Sequence, residues 1–279
     1  MTTAPVHHDP STDRPTAADR RRQVGVTAAE IFCVAGTLVG VGVLGTRVEE
    51  SSGGALSAEA TRIAPAGPAF SIWSVIYLGL LAYTVWQWLP WAATSPRARA
   101  TGWLAALSMV LNAGWLLVTQ RGWIWVSVLV ILALAVTLGV LVRRLGAHPS
   151  SGRLERVVVD GTFGLYLGWV AVATCANVTA ALVSSGVDPG AAVSDVLAVL
   201  VLAVAAGLGV VLARALGGRY AVALAMAWGL GWIAVGRVSG SPLSSVTAVA
   251  AVAAALVVVV AALWGRTRRR GGAPQAVAA

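Results

Sequence analysis

Residues 122–144 read GWIWVSVLVILALAVTLGVLVRR: no ionisable side chain from 122 to 142, then Arg143-Arg144. A helix needs about 20 apolar residues to cross the hydrocarbon core of a bilayer, so this stretch predicts a transmembrane helix. Trp123 and Trp125 stand at its start, where amphipathic rings anchor a helix at the lipid–water interface. Working outward, seven further stretches qualify: 24–46, 68–90, 101–120, 161–184, 191–213, 220–238 and 243–264. Breakers or charges mark the joints, among them Ser51-Ser52-Gly53-Gly54, Pro96, His148-Pro149, Asp188-Pro189, Gly217-Gly218 and Pro242. Gln120-Arg121-Gly122 allows only a tight turn, which makes the third and fourth stretches antiparallel neighbours. The expected fold is an all-α, polytopic transmembrane bundle of about eight helices.

Composition agrees. The chain of 279 residues is 58% hydrophobic and 11% charged, against roughly 25% charged in soluble domains. Its net charge of +9 does not point to nucleic acid, because the basic residues, all arginine, sit between or beside the apolar stretches. Counted over alternate connections, sixteen of the twenty fall on the side of the amino terminus. Cytoplasmic segments carry such an excess, so both termini are expected in the cytoplasm of a multi-pass protein of the cell membrane. Seven or nine helices would put heavily basic segments on the wrong side.

Residues 1–23 are polar, carry Pro5, His7, His8, Pro10 and Pro15, and read as a disordered tail without a signal peptide. Residues 266–279 form a basic tail. Thr27-x-x-Glu30 reads as a capping box of the first helix, and Asp188-Pro189 as N-cap and N1 of the sixth. Gly36-x-x-x-Gly40 and Gly164-x-x-x-Gly168 are spaced for close backbone packing. Cys33 and Cys175 lie inside predicted helices and read as small packing residues. Trp88, Trp91, Trp103, Trp123, Trp125 and Trp264, near helix ends, read as interface anchors.

Ionisable groups are absent from the centres of the second to fifth helices. Asp195 is the one mid-depth candidate, and its place near a helix start favours an interfacial role. Amides and aromatics do reach mid-membrane: Phe70, Trp73 and Tyr77 on the second helix, Asn112 and Trp115 on the third, Trp169, Ala173 and Asn177 on the fifth. A buried amide in lipid needs a partner. Either the amides make interhelical hydrogen bonds, or they and the aromatics face a cavity for a large, flat, mostly apolar ligand needing a few polar anchors.

At these residues the sequence resembles the TspO/MBR family, the tryptophan-rich sensory proteins, also known as translocator proteins or peripheral benzodiazepine receptors. Three segments carry the likeness. Pro65-Ala66-Gly67-Pro68-Ala69-Phe70-Ser71-Ile72-Trp73-Ser74-Val75-Ile76-Tyr77 is similar to the family's proline-rich loop and Phe-x-x-x-Trp-x-x-Leu-Tyr helix, one residue shorter between Phe70 and Trp73. Leu111-Asn112-Ala113-Gly114-Trp115 matches Leu-Asn-x-x-Trp, and Tyr166 to Asn177 matches Tyr-Leu-x-Trp-x-x-x-Ala-x-x-x-Asn. Ile63-Ala64-Pro65 stands where the family has Trp-x-Pro-Pro.

The resemblance covers residues 24–185 and implies a five-helix bundle whose cavity, closed by the first loop, takes porphyrins, haem-like tetrapyrroles or sterols. Phe70, Trp73, Tyr77, Asn112, Trp115, Trp169, Ala173 and Asn177 would line or support it. The implied protein binds its ligand without covalent attachment, lies among membrane lipid, and admits a homodimer. Residues 186–265 add three helices outside the likeness. The alternative is a small-solute transporter; against it stand the uncharged centres and the lack of a repeat between halves. An enzyme is not expected: His7, His8 and His148 lie in tails or loops, and pigment breakdown would need only bound tetrapyrrole and nearby tryptophans.

Overall fold

The computed structural model describes residues 14–271. Its long helices are α1 (Ala17–Gly40), α2 (Ile72–Trp86), α3 (Pro96–Gln120), α4 (Ile124–Ala147), α5 (Thr162–Ser184), α6 (Ala191–Leu216), α7 (Tyr220–Ser239) and α8 (Ser245–Gly271). Eight segments are long and apolar enough to cross a membrane, and no strand occurs among the described residues. The protein is an integral membrane helical bundle.

Helix α3 packs on α1 and α4, α4 on α5, and α2 lies between α1 and α5. Helix α7 then packs on the far side of α5, with α8 on α7 and α6 on α8. The last three helices are thus a layer built onto α5. Both glycine pairs act as close-packing devices. A Cβ at Gly36 would press on Ala113 and one at Gly40 on Leu116, while Gly164 and Gly168 meet Ala221, Val222 and Ala225 of α7. The Arg121-Gly122 turn makes α3 and α4 antiparallel, its left-handed backbone (φ 71° at Gly122) suiting glycine.

Several helix ends differ from the sequence expectation. Helix α1 begins at Ala17, so residues 17–23 are helical rather than tail. Its capping box is Thr16 with Asp19, not Thr27 with Glu30. The polar turn persists because its charges are paired: Asp19 accepts from Arg22 at 2.8 Å and from Arg99 at 2.6 Å. Thr27 lies mid-helix with its hydroxyl on the Gln23 carbonyl. Helix α6 is capped at Gly190 rather than Asp188; the Asp188 carboxylate instead accepts the Gly190 N–H, a local turn ahead of the helix. Helix α2 stops at Trp86, and Pro90 opens a separate short turn, Pro90–Ala93. Residues 266–271, expected as tail, continue helix α8; the rest of the expected tails, 1–13 and 272–279, lies outside the described residues. The six tryptophans expected at the interface are all exposed on the bundle surface.

Candidate functional site

Phe70 precedes α2, in a 3₁₀ turn, Gly67–Ser71. Such a turn has 3.0 residues per turn, which brings Phe70 and Trp73 onto one side despite the shortened spacing. Both rings meet Trp169 edge-on, at 5.8 and 6.2 Å between centroids. Trp73 also stacks on Tyr77 at 5.2 Å and meets Tyr166 at 5.8 Å. Residues far apart in the chain therefore form one aromatic cluster between α2 and α5.

Two cavities flank this cluster. The first, about 40 Å³, is lined by Phe70, Trp115, Trp169, Ala173 and Asn177 from the bundle and by Val48, Leu56, Thr61 and Pro65 from the loop above. The second, about 340 Å³, is lined by Phe70, Trp73 and Tyr77 with Thr37, Arg47, Val48 and Glu49. Phe70 and Val48 belong to both, so one ring and one loop side chain stand between them. Asn112 lines neither; it is buried behind Tyr77.

The amides have protein partners. Asn177 Oδ1 accepts from Trp115 Nε1 at 2.7 Å, and Asn177 Nδ2 donates to Ser127 Oγ at 3.0 Å. Asn112 Nδ2 donates to Tyr77 Oη at 3.1 Å, and its Oδ1 has no partner among the described residues. The interhelical-bond reading of the amides is therefore correct, and it coexists with Asn177's place on a cavity wall. Trp169 differs: it is 2% exposed and its indole N–H has no hydrogen-bond partner among the described residues. Burying such a donor unpaired costs about 1–3 kcal/mol.

Sequence reasoning missed three features. Ser127 serves Asn177, but a serine in an apolar helix gives no periodic signal. Glu30 lies in the middle of α1, buried, with Oε2 unpartnered among the described residues; the capping-box reading had placed it at a helix start. Third, the loop is fastened to α6–α8. Arg237, 1% exposed, donates to the carbonyls of Thr61, Pro242 and Ala58 at 3.1, 3.1 and 2.8 Å. The Ala66 N–H donates to the Trp232 carbonyl, and Trp228 Nε1 to the Ala69 carbonyl. Asp195 accepts from Arg62 at 2.6 Å and from Ser244 at 2.6 Å. Asp195 thus sits near its helix start, as expected, but it bridges Arg62 of the loop and Ser244 ahead of α8.

A family model described as TSPO-like protein matches residues 27–264. The matched span includes α6–α8 as well as α1–α5, extending past residue 185, where the resemblance read from the motifs stops. No curated protein and no solved structure matches the chain.

Proposed function

The chain belongs to the TSPO-like protein family, and on that premise we propose that it binds a flat, largely apolar ligand, such as a porphyrin or other tetrapyrrole, beneath the loop between α1 and α2. Its role is sensory or ligand-handling rather than catalytic, with the arginine-rich end of the bundle in the cytoplasm. The observation that carries this reading is Trp169, whose indole N–H is unpartnered among the described residues and which lines an apolar cavity with Phe70, Trp115 and Ala173. An apolar pocket with a few polar anchors is the usual form of a small-molecule site, at roughly 300–1,000 Å³. The larger of the two cavities falls in that range at about 340 Å³. Displacement of Phe70 would join it to the smaller. Arg47 on its wall supplies a charge-assisted donor for a carboxylate substituent.

The test is tryptophan-fluorescence quenching of the purified protein on titration with protoporphyrin IX. The wild type should quench saturably. Trp169→Phe, which keeps an aromatic ring but removes the N–H, should bind about tenfold more weakly, the worth of roughly one hydrogen bond. An absence of saturable quenching, or equal affinity in both proteins, would remove the ligand from this site.

Glu30 favours a second reading, proton-coupled transport, because intramembrane carboxyl groups commonly mark proton or ion pathways. In liposomes loaded with a pH dye, a protoporphyrin gradient would then drive an internal pH change that Glu30→Gln abolishes. No pH change with the wild type would count against that reading.

A further inference from the structure

At the arginine-rich end of the bundle, a cleft of about 430 Å³ opens between the α3–α5 ends and the α6–α8 layer. It lies at the opposite end from the loop. Four guanidinium groups line it, those of Arg97, Arg156, Arg219 and Arg266, with a single lining carboxylate, Asp160.

The charges are arranged unequally. Asp160 bridges Arg97 at 2.6 Å and Arg219 at 2.5 Å, and Glu155 lies 3.5 Å from Arg97. Those two arginines are thereby fixed in the wall, Arg97 being 3% exposed. Arg156 and Arg266 have no carboxylate partner among the described residues. Arg156 reaches only Ser150 Oγ, at 3.4 Å, and Arg266 lies over the Tyr220 ring at 4.3 Å. Two carboxylates against four guanidiniums leave the cleft with an uncompensated excess of positive charge.

The backbone builds this concavity. Gly217 and Gly218 both have left-handed backbone, at φ 69° and 64°, so the chain reverses between α6 and α7 in a short turn and Arg219 opens α7 at the cleft. Opposite it, the chain enters α5 through a π-helical segment, Arg156–Gly161, which carries both Arg156 and Asp160. Local π-helix is frequent at functional sites.

We propose that this cleft is a binding site for a phosphate-bearing anion, held by Arg156 and Arg266 against the fixed Arg97–Asp160–Arg219 wall, and that the anion is the headgroup of an acidic phospholipid. Guanidinium forks match phosphate geometry. Basic pockets between transmembrane helices near one membrane face bind such headgroups. The site takes its cations from both layers of the fold, so an occupied cleft ties α6–α8 to α3–α5.

The test is the melting temperature of the full chain in a zwitterionic detergent, titrated with dioctanoyl phosphatidylglycerol, with dioctanoyl phosphatidylcholine and with inorganic phosphate. Phosphatidylglycerol should raise it saturably, by about 5 °C at a hundredfold excess over Kd, and phosphatidylcholine should not. Arg156→Gln/Arg266→Gln, which spares the buried ion pairs, should lose that response. Should the double variant not purify, Arg156→Gln alone, at an exposed position, should show a weakened response. A response to inorganic phosphate as large as that to the lipid, and lost in the same variant, would support the anion site with a soluble source. Equal responses to the two lipids, or an undiminished response in both variants, would overturn the proposal.

Discussion

The two layers of the bundle solve the problem of packing in lipid differently. Half of the most apolar stretch of Arg153–Ser184, the span that contains α5, is buried, against 28% of that of α6. Helix α5 is therefore the central post, enclosed by α2, α4 and α7, while α6 is mostly a lipid-facing outer wall. The α1–α5 layer carries its polar groups inside: Asn112, Ser127, Asn177 and Glu30 are all buried. No amide side chain occurs from 191 to 271, and the α6–α8 layer is rich in alanine, valine and glycine. Its polar side chains cluster at its two ends, around the loop and around the arginine cleft. The first layer lines the two cavities with the loop, and the second fastens the loop.

If the seam between the layers rests on close backbone approach, Gly168→Val should have the largest effect. The new side chain would press on the Val222 carbonyl and the Ala225 Cβ, backbone and packed methyl that cannot yield. Overpacking of this kind should cost about 3 kcal/mol, read as a fall in thermal stability and a loss of monodisperse protein in detergent. Arg237→Gln should come next. It strips charge-assisted bonds from the Ala58, Thr61 and Pro242 carbonyls and should cost about 2 kcal/mol, with limited proteolysis of the loop as the sharper readout. Asp195→Asn should be smallest, below about 1 kcal/mol, because the Arg62 pair is partly exposed. Its signature is faster hydrogen exchange over residues 58–66, with exchange in α3 and α5 unchanged. Faster exchange in α5 as well would break the division between pocket and lid.

The eight spans were legible because each is a long run of apolar residues and nearly all of the charges fall at the joints, Glu30 and Asp195 being exceptions. The ends of the first helix were not. Paired charges at Asp19, Arg22 and Arg99 let helix continue through a segment whose composition reads as tail, and the pairing residue is about eighty positions away. At the site, Phe70, Trp73 and Trp169 were found from their spacing and do form one cluster. The partners of Asn177 and the fastening of the loop by Arg237, Trp228 and Trp232 were hidden, because they join segments more than a hundred residues apart in the loop's case and follow no periodicity. The three-residue spacing of Phe70 and Trp73 looked like a departure from the family pattern, and the 3₁₀ turn explains how it is accommodated.

The central claim is that α7 holds the loop closed over the ligand pocket, and a disulfide lock tests it directly. A Cβ built on Gly236 lies 3.6 Å from the Ala66 Cβ, within the separation a disulfide requires. Ala66→Cys/Gly236→Cys, oxidised, should pin the loop to α7. Protoporphyrin IX should then associate at least about tenfold more slowly, since entry beneath the loop requires it to open, and dithiothreitol should restore the wild-type rate. Equal association rates in the oxidised and reduced forms, with the crosslink verified by mass spectrometry, would contradict the account and place ligand entry elsewhere in the bundle.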